Sequence, residues 1–216
     1  MPHKMKVKIC GLADTDNAAE IAALAPNYVG FIFYPPSPRA VTIETAKQIA
    51  ARIPPNVTTV GVFVDENPRS IFTTAQSIGL SAVQLCGTTQ ITCARELKFL
   101  DFKETIFGSF AATPDNIVIL STARDLPFDF LLFDTPSAQH GGTGKTFDWA
   151  KLKNYHGIIP FFLSGGIGPD NLDEALAFTH PMLCGFDLNS RLEACPGVKD
   201  IDRTRACIEK IRTLSL

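Results

Sequence analysis

The feature that most constrains the fold is a regular alternation of short apolar runs with longer segments of helical pattern. The helical segments are Asp14–Ala25, Ile43–Arg52, Pro68–Ile78, Gln90–Leu100, Trp149–Asn154, Pro169–Phe178 and Asp200–Leu214. Strand–helix alternation predicts a parallel sheet, because parallel neighbours must be joined by a crossover connection. Eight runs are candidate strands: Val7–Cys10, Tyr28–Phe33, Thr58–Val64, Ala82–Leu85, Thr105–Phe110, Phe130–Asp134, Ile159–Ser164 and Leu183–Leu188.

One segment between strands has an ambiguous pattern. Thr113–Ala123 fills the place of a helix after the fifth strand, but it contains the β-rich run Ile117–Leu120. Short apolar runs fit a buried helix and a strand equally well. Both interpretations stay open for this element.

The number of repeats favours a closed barrel. A chain of 216 residues with 45% hydrophobic content can bury a large core, and no linker or shift of composition divides it. A doubly wound sheet usually has fewer strands and carries its glycine fingerprint after the first one. We therefore predict one domain, residues 1–216, folded as a single (β/α)8 TIM barrel.

Paired glycines after the seventh strand suggest a phosphate site. Gly165 and Gly166 follow the apolar run that begins at Phe161, and a helix start is expected near Pro169. Glycines let the backbone approach an anion, and free N–H groups at a helix start favour one, although such a turn can also be a tight connection without a ligand. Barrels of this kind often build a phosphate site from the loops after strands seven and eight. The predicted phosphate-binding residues are Gly165, Gly166, Asp187, Asn189 and Ser190.

Three polar residues near strand ends are candidates for chemistry. Cys10 and Asp134 end apolar runs, and Arg39 lies in the loop after the second strand. A thiol and a carboxyl group facing each other can divide proton transfers if the thiol pKa falls from about 8.5 and the carboxyl pKa rises from about 3.9. The alternatives are a packed cysteine and an aspartate that caps a turn.

The glycine-rich segment after the sixth strand resembles a nucleotide-binding loop only at one end. The P-loop pattern needs its first glycine five residues before Gly144, where the chain has Gln139. We interpret Gly141, Gly142 and Gly144 instead as a lid that closes over a ligand and excludes water.

Composition argues against several other classes of protein. A net charge of −2 and a pI near 6.1 leave no basic surplus for nucleic acid. The amino terminus lacks the apolar stretch of a signal peptide, and no run approaches membrane-spanning length. The six cysteines form no Cys-x-x-Cys pair, so no metal site is predicted. We expect a soluble, cytoplasmic monomer that has no membrane or nucleic-acid partner.

The motifs, taken in order, resemble those of the phosphoribosylanthranilate isomerase family of tryptophan biosynthesis. The resemblance spans nearly the whole chain and is specific as an ordered set. The matching segments are Lys8–Leu12, Gly30–Phe33, Ser37–Arg39, Val60–Phe63, Val83–Leu85, Leu132–Thr135, Gly141–Trp149, Leu163–Gly166, Glu193 and Pro196–Asp200.

This resemblance implies a cofactor-free Amadori rearrangement of N-(5′-phosphoribosyl)anthranilate, an aminoaldose, to a ketose. It implies that Asp134 is the general acid that opens the furanose ring and that Cys10 is the general base that removes the C2′ proton. Arg39 matches the position that pairs with the anthranilate carboxylate. The glycines at 165 and 166 and the neighbouring residues match the phosphate cradle.

The chain departs from the family pattern at three positions. Cys86 stands where the family usually has His, Ser109 where many members have a basic residue, and Arg191 where glycine is frequent. We expect Arg191 either to face solvent or to add charge near the phosphate.

Two other functions stay open beside the isomerase. One is another phosphosugar enzyme on the same barrel, although epimerase-like metal ligands and a strand-end catalytic Lys are not found. The other is a non-catalytic barrel that binds a phosphorylated metabolite, which would tolerate loss of Cys10 or Asp134.

Overall fold

Eight parallel strands close into a barrel in the order of the sequence. The structure, a computed structural model, describes residues 4–135 and 146–213. Each strand pairs with the next, and the first strand pairs with the last, which confirms the predicted (β/α)8 barrel. The strands are β1 (Lys6–Cys10), β2 (Tyr28–Ile32), β3 (Thr58–Val64), β4 (Ala82–Cys86), β5 (Thr105–Ala111), β6 (Phe130–Asp134), β7 (Phe161–Leu163) and β8 (Leu183–Leu188).

Helices surround the barrel, and an extra hairpin follows β8. A 3-10 helix, Ser190–Leu192, leads into the antiparallel pair β9 (Glu193–Cys195) and β10 (Val198–Lys199). Within the described part of the chain, no helix is long and apolar enough to cross a membrane. The helices are α1 (Thr15–Ala23), α2 (Ile43–Ala50), α3 (Pro68–Ile78), α4 (Gln90–Phe99), α5 (Pro114–Thr122), α6 (Leu172–Ala177) and α7 (Ile201–Thr213).

The ambiguous segment after β5 is the helix α5. The Thr113 side chain accepts a hydrogen bond from Asn116 N, and Pro114 opens the first turn, so the segment has a strong helix start. Ile117 and Leu120 are buried one turn apart, whereas Val118 and Ile119 are 60% and 51% exposed. Helical spacing of the buried pair accounts for the apolar run without a strand.

Two predicted α-helices have other forms. Trp149–Asn154 is a 3-10 helix, and α6 begins at Leu172 rather than near Pro169. The Asn171 side chain accepts a hydrogen bond from Gly168 N at 2.9 Å and donates one to Gly166 O at 2.9 Å. These bonds close a turn over the residues where we expected the helix to start.

Inward-facing aromatic side chains fill the middle of the barrel. Tyr28, Phe107 and Phe162 meet edge to face, with ring centroids 5.3 to 5.7 Å apart. They form a small buried cluster with Val60, Ala82 and Leu132, separate from the apolar layer between strands and helices.

Candidate active site

A cavity of about 530 Å³ opens at the carboxyl ends of the strands. The predicted lid glycines, Gly141, Gly142 and Gly144, lie outside the described residues. All the other predicted site residues line this one cavity: Cys10, Arg39, Asp134, Gly165, Gly166, Asp187, Asn189 and Ser190.

Cys10 ends β1 and is 4% exposed. Its sulfur packs on Gly30 of β2, where an added Cβ would lie 2.9 Å from Sγ. Burial raises the pKa of Cys10, while Lys8 and Lys199 act in the opposite direction. We expected the thiol pKa to fall, but in the unliganded protein the desolvation effect is the larger one.

Asp134 ends β6 and has the electrostatics of an acid that keeps its proton. Burial raises the pKa of Asp134 to about 6, although its Oδ1 accepts a hydrogen bond from Thr135 N at 2.7 Å. The direction of this shift is the one that a general acid needs near neutral pH.

Sequence reasoning missed Lys8, which is completely buried. Its Nζ lies 2.8 Å from Asp187 Oδ1, and Ser164 Oγ donates to Asp187 Oδ2 at 3.3 Å. We predicted Asp187 as a phosphate ligand, yet a carboxylate repels phosphate and this one is already paired. Its contacts indicate that it holds Lys8 instead. Alternation along β1, which places Lys8 on the same face as Cys10, was the available signal.

Arg39 is fixed by a second acid that sequence reasoning gave no role. Its Nε and Nη2 donate to Glu193 Oε1 and Oε2 at 2.8 and 2.7 Å in a bidentate pair. Glu193 Oε1 also accepts from Lys199 Nζ at 2.8 Å. Burial alone would raise the pKa of Glu193, but Arg39 and Lys199 hold it below its ordinary value. The hairpin after β8 thus positions a cation at the cavity wall.

The backbone at the predicted phosphate segment has the form of an anion-binding turn. Gly165 and Gly166 have φ of 90° and 63°, a region that favours glycine and suits a nest of N–H groups. A Cβ on Gly165 would lie 2.4 Å from Thr135 Oγ1, so only glycine fits. In the loop after the neighbouring strand β8, Lys199 Nζ donates to Asn189 Oδ1 at 2.7 Å, just before Ser190.

The three departures from the family pattern lie at or beside the cavity. Cys86 and Ser109 both line the cavity, and burial raises the pKa of Cys86 to about 11. Arg191 is half-buried and its side chain packs over Gly168, beside the glycine segment. This position agrees with our expectation for Arg191.

Gln84 is a further polar residue that sequence reasoning did not select. It is 5% exposed and lines the cavity, and its Oε1 has no hydrogen-bond partner among the described residues. A buried amide oxygen without a donor is costly. A ligand that offers an N–H or O–H group would remove this cost.

Comparisons with known proteins agree on one family. A family model described as N-(5′-phosphoribosyl)anthranilate (PRA) isomerase matches residues 7–210. The isomerase of that name from Parabacteroides distasonis is 36% identical over 208 residues, covering 96% of this chain and 93% of the relative. The one from Thermotoga petrophila is 36% identical over 214 residues, covering 97% and 100%.

Solved structures give the same result. The phosphoribosyl anthranilate isomerase from Thermotoga maritima superposes with a TM-score of 0.83 at 32% identity and covers 97% of this chain and 100% of that one. A phosphoribosyl anthranilate isomerase in complex with reduced 1-(o-carboxyphenylamino)-1-deoxyribulose 5-phosphate gives a TM-score of 0.79 at 29% identity, with the same coverage.

Proposed function

The chain belongs to the N-(5′-phosphoribosyl)anthranilate isomerase family, and on this premise we propose that the cavity at the carboxyl ends of its strands is the active site. The family resemblance of the sequence is thereby confirmed. The protein is an isomerase of tryptophan biosynthesis that converts N-(5′-phosphoribosyl)anthranilate to 1-(2-carboxyphenylamino)-1-deoxyribulose 5-phosphate. The observation that carries the site assignment is that Cys10 and Asp134 line the same cavity.

Asp134 acts as the general acid. Its carboxyl proton passes to the furanose ring oxygen while the anilino nitrogen lone pair forms a C=N bond to C1′, so the C1′–O bond breaks and the ring opens. A pKa near 6 leaves about a tenth of the enzyme with this proton at pH 7, far more than an ordinary aspartic acid would keep.

Cys10 acts as the general base in the next step. Its thiolate takes the proton from C2′, the C–H electrons form the C1′=C2′ bond, and the positive charge on nitrogen is neutralised. The product of this step is an enolamine, which tautomerises to the ketone. Both proton transfers use side chains of this chain.

The substrate carries a negative charge at each end, and the cavity offers a different group to each. Arg39 binds the anthranilate carboxylate, since the guanidinium retains N–H groups beyond those given to Glu193. The backbone of Gly165 and Gly166, together with Asn189 and Ser190, binds the phosphate. Asp187 supports this site through Lys8 rather than by contact with phosphate.

The activity is tested by the loss of anthranilate fluorescence when the purified protein meets freshly made substrate. We expect rapid loss with the wild type, and Cys10→Ser and Asp134→Asn to lower kcat by about 10²–10⁴-fold each. Cys195→Ser and Asp125→Asn, both at exposed positions away from the cavity, are the matched controls. A folded wild type that does not accelerate the reaction over buffer would contradict the proposal.

We also propose that residues 1–216 form one domain that acts as a monomer in the cytoplasm. Membership in a family of biosynthetic isomerases supports this location. A related enzyme from Thermotoga maritima is described as dimeric, so the assembly of this chain needs its own measurement.

A further inference from the structure

Lys8 lies in a position where a charged group is costly. Its side chain has 0% exposure in the middle of β1, inside the barrel. An ammonium ion loses its hydration there, and buried ion pairs seldom stabilise a fold more than apolar residues of the same size would. Stability therefore gives no sufficient reason for a lysine at this position.

The register of the barrel fixes the ammonium group between two other side chains. Lys8 pairs with Asp187 across the ladder from β1 to β8, and their Nζ–Oδ1 distance is 2.8 Å. Cys10 lies two residues further along β1, so its side chain and that of Lys8 point to the same face. The two side chains are near enough for the positive charge of Lys8 to favour the thiolate form of Cys10.

The other groups that face Cys10 do not replace this contact. Lys199 is nearby, but its Nζ is engaged by Glu193 Oε1 at 2.8 Å and Asn189 Oδ1 at 2.7 Å. Asp187 opposes thiolate formation by its negative charge. Cys86, at the end of β4, also lines the cavity, and its sulfur accepts a hydrogen bond from Gln84 Nε2 at 3.5 Å.

We propose that Lys8 is a positioning residue for the reaction: Asp187 holds its buried ammonium group beside the sulfur of Cys10, where it stabilises the thiolate that removes the C2′ proton. This inference rests on the proposed function of Cys10. Lys8 keeps its own protons throughout, and the proton from C2′ goes to the sulfur. Asp187 lowers the cost of burying the lysine and fixes its direction.

The test compares Lys8→Met with Lys6→Met. Methionine keeps the length and apolar character of the lysine stem and removes the charge. Lys6 lies on the same face of the same strand, two residues further from Cys10 than Lys8, and stacks over Phe130 with its Nζ 4.4 Å from the ring centroid. Each variant loses one positive charge from β1, but only Lys8→Met loses the charge that we place beside the Cys10 thiol.

The first measurement is the pH dependence of Cys10 alkylation by iodoacetamide, followed by peptide mass spectrometry so that the other cysteines do not contribute. We expect Lys8→Met to move the midpoint upward by about one to three pH units, the usual effect of losing an adjacent opposite charge. Lys6→Met should move it much less. Equal midpoints in the two variants would overturn the inference.

The second measurement is the pH profile of kcat. Lys8→Met should lower kcat at neutral pH by about tenfold or more. Its deficit relative to the wild type should shrink at high pH, where the thiol ionises without help. A loss of kcat that is uniform across pH would mean a structural role and would overturn the inference. If Lys8→Met fails to fold, the double variant Lys8→Met with Asp187→Asn is compared with Asp187→Asn alone, because loss of the aspartate by itself favours the thiolate. A midpoint no higher in the double variant than in Asp187→Asn would overturn the inference.

The alkylation result separates this inference from the proposed function. A wild type without isomerase activity, whose alkylation midpoint still rises in Lys8→Met, would overturn the catalytic role and keep the thiolate contact. Isomerase activity in the wild type, combined with an unchanged alkylation midpoint in Lys8→Met, would overturn the thiolate contact and keep the catalytic role of Cys10.

Discussion

At the scale of single residues, two acid–base groups have been brought into surroundings that suit chemistry more than stability. Asp134 is retained in a desolvated position with its pKa raised to about 6. A carboxyl group whose pKa is raised on folding destabilises the folded state once pH exceeds its unfolded value. Activity and stability thus oppose each other at this side chain.

Asp134→Asn should therefore stabilise the protein while abolishing its activity. Between pH 3.8, the ordinary value, and about 6, the unfolded chain ionises Asp134 while the folded protein keeps the proton. The free energy of unfolding falls over this pH range by about 2 kcal/mol, after allowance for water in the cavity. Thermal melts should show a higher Tm for Asp134→Asn at pH 7.5 and no gain near pH 3.5. The exposed Asp125→Asn should show neither effect.

Gly30→Ala should damage catalysis through Cys10. The new methyl group would lie 2.9 Å from Cys10 Sγ, so the thiol must move. We expect kcat to fall by about tenfold or more, because sub-ångström misplacement of a base is costly. Gly61→Ala is the matched control on β3, since its methyl group would meet Leu80 Cδ1 at 2.6 Å instead. Both variants should lose stability, and comparable kcat values in the two would contradict the assignment.

Some residues of the proposed site were predictable from the sequence and others were not. Cys10 and Asp134 were predictable because each ends an apolar strand and chemistry in barrels lies at strand ends. Lys8 was not, because a lysine in a strand is ordinarily exposed and its partner lies 179 residues away. Glu193 was hidden for the same reason, since its partner Arg39 is 154 residues distant.

At the scale of elements, the hairpin β9–β10 is short, yet it orients polar side chains that line the cavity. It carries Glu193 and Lys199, whose side chains are 5% and 0% exposed, and through them it orients Arg39 and Asn189. A single connection thus holds the residues proposed for both charged ends of the substrate.

Glu193→Gln should weaken substrate binding more than it slows the chemical step. Without a carboxylate, Arg39 loses its bidentate partner and its orientation, so we expect KM to rise by about tenfold with a smaller change in kcat. The control is the substrate analogue N-(5′-phosphoribosyl)aniline, which lacks the carboxylate that Arg39 recognises. If KM for the analogue rose by the same factor, Arg39 would not be the carboxylate ligand.

The ends of a helix were predictable where capping residues in the local sequence set them. They were not predictable where side-chain hydrogen bonds formed in the folded structure set them. Asn67, Pro68 and Gly79 mark both ends of α3, and its predicted and observed bounds agree. The start of α6 was wrong because the Asn171 side chain bonds back to Gly166 and Gly168. Local sequence propensity does not predict these hydrogen bonds, because they can form only once the turn itself has formed.

At the scale of the whole molecule, the large apolar side chains that are exposed lie on several elements of the described part of the chain. Phe99 at the end of α4 is 89% exposed and Ile158 before β7 is 80% exposed, on different elements. Scattered exposed apolar residues are ordinary for a monomer. Light scattering coupled to size exclusion should give a mass near 23.5 kDa at micromolar concentration. Twice that mass would contradict the monomer proposal.

The ion pair between Lys8 and Asp187 joins the first strand of the barrel to the last. During synthesis, Lys8 and Cys10 leave the ribosome long before residue 187 exists, and until then the lysine has no acid to anchor it. The proposed base acquires its surroundings only when the two ends of the sheet meet. A chain that stops short of β8 carries an ordinary thiol, whereas the completed barrel buries Cys10 and anchors Lys8 on the same face of β1.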